Sequence, residues 1–117
     1  MNLEESVQKH AEWKLKFRSA ISTEQQMDAE SIAKDNCCPL GQWLHGDGKS
    51  VCGSKPEYQR AVEAHRKFHV EAGKVASLIN ARRYEEAGKM IGSETAYANA
   101  SQTVGTALMA LKKAAKL

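Results

Sequence analysis

Two histidines, His65 and His69, stand four apart in the stretch HRKFH. On a helix a step of four residues turns the side chain by only about 40°, so both rings project the same way and their nitrogens can meet on one cation. That spacing serves equally as part of a packed helix core. A third histidine bears on the choice. His10 falls in a separate apolar series, Leu3, Val7, His10, Phe17 and Ile21, in which Lys14 takes one place. Three imidazoles on seams that face a core must each be hydrogen-bonded or bound to something, because an unmatched buried polar group is costly. One cation accepting all three lone pairs removes that cost. A thiolate from the segment holding Cys37, Cys38 and Cys52 would complete a His3Cys set, the nitrogen and sulfur donors that suit tetrahedral zinc.

Four protein ligands leave no place for water, and a hydrolytic zinc keeps one. The expectation is therefore a structural or sensing metal and no enzyme. The alternative is a zinc-dependent hydrolase with three protein ligands, an open coordination position, and Glu12 or Glu63 as base. A heme or oxygen-binding bundle would use the histidine pair but leaves the cysteines without a task. His45 lies in a glycine-rich stretch and is expected to face solvent.

The elements that must position these residues are helices. The series from Leu3 to Ile21 predicts an amphipathic first helix. Asp28 can cap a short turn running to Lys34. Residues 35–56 hold all three cysteines, both prolines and Gly41, Gly46, Gly48 and Gly53, which predicts an ordered loop with a short helix around GQWLHG. Ser54 is placed to cap a second long helix with Pro56 early in it, and its seam runs Tyr58, Val62, His65, His69, Ala72, Ala76, Ile79. Asn80 and Ala81 mark a break, RRYEEAGKMI reads as a short helix, and Ser93 is placed to cap a last helix to about Lys116. That helix carries Ala96, Ala100, Thr103, Ala107, Ala110 and Ala114 on one side, small enough for close contact within the chain or between two chains. The fold class expected is all-α: a four-helix up-and-down bundle with an extra short helix in the cysteine loop.

A chain of 117 residues suits one domain, residues 1–117. With 42% hydrophobic and 26% charged residues it should fold as a globular protein. No apolar run suits membrane insertion, and the start, MNLEESVQKH, lacks the pattern of an export signal. A cytoplasmic location is expected, and an odd number of cysteines there argues against a disulfide framework. The net charge of +3 comes from interleaved signs, with no basic and aromatic pattern of the kind nucleic acid requires.

HAEWK at His10, CPLGQWL at Cys38 and HRKFH together resemble the chemoreceptor zinc-binding (CZB) domain family. The resemblance implies a four-helix bundle, often a symmetric dimer, with zinc (Zn2+) held by His10, Cys38, His65 and His69. It selects Cys38 over Cys37, and Gly41 and Trp43 complete the cysteine motif as supports of the site. Glycine permits close approach of the loop, and the indole can cover the metal and pin the segment to the bundle. Family members are regulatory inputs to chemoreceptors or diguanylate cyclases and respond to zinc or to oxidants such as hypochlorous acid. That implies Cys38 as the redox-sensing residue and a homodimer controlling, in cis or in trans, chemotaxis or cyclic-di-GMP signalling. Cys37 and Cys52 lie outside the family pattern. Vicinal thiols are stiffly constrained, so Cys52 is the better resolving thiol for an oxidised Cys38.

Overall fold

The computed structural model describes residues 1–117 as eight helices and no strand. The first rod comprises α1 (Leu3–Ala11) and α2 (Trp13–Thr23), separated at Glu12. Asn2 caps α1 by accepting from the Glu5 N–H at 3.0 Å, with Glu4 and Glu5 in the first turn where the helix dipole favours them. The buried face of this rod is Leu3, Ser6, His10, Phe17 and Ala20, whereas Val7 and Ile21 are only half-buried. It is thus rotated slightly from the predicted seam, and the rotation takes Ser6 inside.

The short helix α3 (Ala29–Ile32) is capped by Asp28, which accepts from Ser31 N–H at 3.2 Å. The cysteine segment is more helical than expected: α4 (Pro39–His45) and α5 (Asp47–Cys52) replace most of the predicted loop. None of its glycines has a positive φ. Gly41 and Gly48 serve close packing inside helices, Gly46 separates α4 from α5, and Gly53 ends α5. The longest element is α6 (Pro56–Asn80); Pro56 opens it, but the N-cap is Lys55 rather than Ser54. After α7 (Tyr84–Met90) comes α8 (Ala96–Ala115), capped by Thr95 rather than Ser93. Thr95 is the residue whose hydroxyl reaches an orphan N–H, that of Ala98 at 3.1 Å.

The molecule is the expected all-α bundle. Three long rods, α1–α2, α6 and α8, carry it, and the four short helices complete it. At its centre α6 packs along α8 and also meets α2, α3 and α7, while α1 lies on α8. The core joins Phe17, Leu40, Leu44, Phe68, Val75, Ile79, Val104, Leu108 and Leu111. The small residues of α8 lie at the edge of this core: Ala100 and Ala107 are half-buried against it, and Ala96, Thr103 and Ala110 are exposed. The buried side of α8 is Tyr97, Val104, Leu108 and Leu111, and Ala100, Thr103 and Ala107 lie along the outer α6–α8 groove.

Candidate metal centre

Two rods and one short helix deliver four donor atoms to one point. His10 comes from α1, His65 and His69 from α6, and Cys38 from the N-cap of α4. All four donor atoms lie within 4.8 Å of one another. His65 Nε2 is 3.2 Å from His10 Nε2 and 3.0 Å from His69 Nε2. Cys38 Sγ is 3.3 Å from His65 Nε2 and 3.6 Å from His69 Nε2. A tetrahedral zinc with Zn–N of about 2.05 Å and Zn–S of about 2.3 Å has N···N edges of about 3.3 Å and N···S edges of about 3.6 Å. Those four separations match the edges of such a tetrahedron to within a few tenths of an ångström.

Proton bookkeeping gives the same answer. His10 Nδ1–H donates to the Ser6 carbonyl at 2.7 Å, and His69 Nδ1–H donates to the Ile32 carbonyl at 2.8 Å. Both bonds place the lone pair on Nε2, aimed into the cluster. His65 is fully buried and its Nδ1 has no partner. If its proton is on Nδ1, three lone pairs converge on a thiol that has a single proton to donate. If the proton is on Nε2, it satisfies one neighbour and leaves Nδ1 empty-handed. A cation takes up all three lone pairs of the first arrangement and leaves only the Nδ1–H of His65 without a partner; protein hydrogen bonds satisfy neither arrangement.

Burial also keeps the site in its ligand form. It lowers the basicity of His10 and His69, and it pushes His65 down to about 2 with help from the two neighbouring imidazoles. Without a cation, burial raises the Cys38 thiol, against the pull of the Gly41 and Leu40 N–H groups. The rings are therefore neutral donors, and the sulfur requires a positive charge to ionise.

The local sequence explains how Cys38 is held. It occupies the N-cap of α4 in extended conformation, and its Sγ accepts from Gly41 N–H at 3.3 Å, as a capping serine oxygen would. Pro39 follows at the first helical position. Leu40 and Leu44, one turn apart, bury completely or nearly so and anchor α4. Tyr58 Oη donates to the Leu44 carbonyl at 2.6 Å, tying the far end of α4 to α6. At Gly41 a Cβ would stand 1.7 Å from the Asp35 carbonyl oxygen, so only glycine lets α4 fold back on its own lead-in strand of chain.

Trp43 supports the site by a different route from the one expected. Its ring lies against Gly48, where a Cβ would come within 2.7 Å, so it fastens α4 to α5. The aromatic ring packed edge-on against His10 and His69 is Phe68. His45 is exposed and contacts Asp35 Oδ2 at 3.1 Å, outside the cluster. Cys37 is exposed, and Cys52 is buried in the core with its thiol donating to the Gly48 carbonyl at 3.1 Å. Glu63 is exposed and paired with Arg66 at 2.6 Å, whereas Glu12 lines a cleft of about 440 Å³ that reaches His10 and Cys38. That cleft, bordered also by Trp13, Lys16 and Pro39, is the solvent route to the sulfur.

Sequence reasoning missed the Ser6 and Ile32 carbonyls. The first is legible once His10 is placed on a helix, since Nδ1 can reach the carbonyl one turn back. The second comes from a segment 37 residues away and carries no local signal. The sequence profile of the chemoreceptor zinc-binding domain family matches residues 10–76, more than half of the chain, from His10 past His69. No curated protein and no solved structure matches the chain.

Proposed function

This chain belongs to the chemoreceptor zinc-binding domain family, and on that premise we propose that it is a regulatory domain that binds zinc through His10, Cys38, His65 and His69 and senses oxidants at Cys38. The observation that carries the reading is the convergence of two carbonyl-oriented Nε2 lone pairs, a third imidazole and one sulfur within 4.8 Å, with four of their separations at tetrahedral lengths. Bound zinc would hold the sulfur as a thiolate at neutral pH, which buried Cys38 does not reach unaided. The function is regulatory rather than hydrolytic, because the fourth donor is a protein sulfur in the position a hydrolase reserves for water.

Hypochlorous acid is the oxidant class that fits. The small neutral molecule enters the cleft beside His10, and the Cys38 sulfur attacks its chlorine. An S–Cl bond forms, the O–Cl bond breaks, and hydroxide leaves. Water then replaces chloride, giving sulfenic acid and a proton; sulfur has lost two electrons to chlorine. The oxidised sulfur is a weaker donor, so Cys38 and the N-terminal end of α4 are freed, while Leu44 and the Tyr58 bond hold the far end and the three histidines stay on their rods. Cys52 could close a disulfide only after α5 releases its last turn, since its thiol is buried and bonded within that helix. Zinc sensing by simple occupancy uses the same four residues.

No helix is long and apolar enough to cross a membrane. We place the domain in the cytoplasm, where three free thiols are stable, acting on a chemoreceptor or diguanylate cyclase module in cis or in trans. A second copy is the partner assigned to the outer α6–α8 cleft of about 820 Å³. Along α6 the row Glu57, Arg60, Glu63, Lys67, Glu71, Lys74 is self-complementary about a two-fold axis. Antiparallel pairing sets Glu57 opposite Lys74, Arg60 opposite Glu71 and Glu63 opposite Lys67. Sliding by one turn sets Arg60 against Lys74 and Glu63 against Glu71, which like charges oppose.

The test is titration of the zinc-loaded domain with hypochlorous acid, following zinc release and thiol modification by mass spectrometry. Cys38 is expected to be modified first, with zinc released in step. Modification of Cys37 while Cys38 stays intact and zinc stays bound would overturn oxidant sensing.

A further inference from the structure

The His69 bond to Ile32 depends on how closely α3 lies on α6, and one residue sets that distance. Gly73 is four residues beyond His69 on the same side of α6 and is buried. A Cβ built there would fall 2.5 Å from Ala33 Cβ and 2.9 Å from Ala33 Cα. Glycine inside a helix costs roughly 0.5–1 kcal/mol relative to alanine, so its presence in the middle of a 25-residue helix reflects a contact that needs it. The opposite end of α3 is clamped as well. Asn80 Nδ2 donates to the Met27 carbonyl at 2.7 Å, and Asn80 Oδ1 accepts from Met27 N–H at 2.7 Å. Between these anchorages the Ile32 carbonyl is presented to His69 Nδ1–H at 2.8 Å. From Ala33 the chain continues directly into the cysteine segment.

We propose that Gly73 is a positioning residue for the metal ligand His69: its missing side chain seats α3 deeply enough for the Ile32 carbonyl to fix the tautomer and the angle of the ring. The inference rests on the metal reading above. A methyl group at residue 73 must push Ala33 outward, and Ile32, its neighbour, moves with it. His69 then loses the bond that keeps its lone pair on Nε2. Ligands deprived of such an outer partner bind metal more weakly by about 10–100-fold.

The experiment compares the full chain with Gly73→Ala, Ala33→Gly and the double variant Gly73→Ala/Ala33→Gly. Zinc affinity is measured by chelator competition, the cobalt(II) absorption spectrum reports ligand geometry, and imidazole NMR reports the Nδ1 proton of His69. Gly73→Ala is expected to weaken zinc by about 10–100-fold, to shift the cobalt band and to lose the protected Nδ1 proton, while metal-free helicity is retained. The double variant, which removes the Ala33 methyl at 2.5 Å and leaves only its Cα at 2.9 Å, is expected to recover part of the affinity and the proton signal. Undiminished affinity in Gly73→Ala overturns the proposal. So does a loss that the double variant fails to recover, since that is damage to the fold rather than misplacement of Ile32; if Gly73→Ala does not fold, the double variant alone decides on the same two signals. A wild-type chain that binds neither zinc nor cobalt would refute the metal reading itself, and this proposal with it.

Discussion

At the scale of single residues the site is organised by where protons are. Two backbone carbonyls hold the Nδ1 protons of His10 and His69, and burial keeps all three rings neutral. This has a pH consequence for the metal-free domain. Each ring has a folded pKa below the 6.5 of the unfolded chain, so as pH falls through that value the unfolded state takes up protons that the folded state refuses. Stability is present above 6.5 and lost below it. Cys38 acts oppositely: its folded pKa lies above 9.0, so alkali ionises the unfolded thiol first and stability falls there too. Thermal unfolding of chelator-treated protein should therefore show a midpoint that drops from about pH 7.5 to about pH 5. A flat profile across that interval would mean that the rings are not buried together. The donor types and the pairing of His65 with His69 were legible in the sequence because spacing on a helix fixes direction. The choice of Cys38 over Cys37 came from the family resemblance, and the structure supplies its physical counterpart in the N-cap position.

At the scale of elements, helix periodicity located the long rods, and the errors fell where one residue type has two uses. Gly48 looked like a loop residue and Gly41 like the start of a short helix; both sit inside helices at points where a Cβ would collide with Trp43 or Asp35. Propensity cannot see a collision with a segment elsewhere. Ser54 and Ser93 looked like caps, yet the helices begin at Pro56 and Ala96. The left-handed positions went the other way, falling on Glu24, Arg82, Glu94 and Lys116 rather than on glycine. Glu24 ends α2 at φ 55°, and it is exposed. A non-glycine residue in that region costs roughly 1–2 kcal/mol, of which glycine's own entropy would return part. Glu24→Gly should accordingly stabilise the domain by about 0.5–1 kcal/mol in urea unfolding, with zinc affinity unchanged. Destabilisation would show that Glu24 makes a contact beyond its backbone.

At the scale of the whole molecule, α6 carries both ideas of function on its two sides. The inner side bears His65 and His69 within the core; the outer side bears the alternating charges and half of the cleft shared with α8. The stripe of small residues on α8 was visible in the sequence, but whether it faced the core or the exterior was not, because alanine is compatible with both. Tyr97, Val104, Leu108 and Leu111 decide it by taking the interior. The two-fold pairing yields a charge-swap prediction. Lys67→Glu should weaken self-association by placing like charges opposite Glu63, and Glu63→Lys/Lys67→Glu should restore it, as read by sedimentation equilibrium. A monomer at every concentration, or a double variant as weak as the single one, would assign the cleft to another partner.

X-ray absorption at the zinc edge addresses the shared premise of these readings. The predicted result is one zinc per chain with three nitrogen neighbours at about 2.0 Å and one sulfur at about 2.3 Å, and loss of the sulfur shell in Cys38→Ser. A shell of nitrogen and oxygen without sulfur in the unmodified chain, or no stoichiometric metal at all, would contradict it.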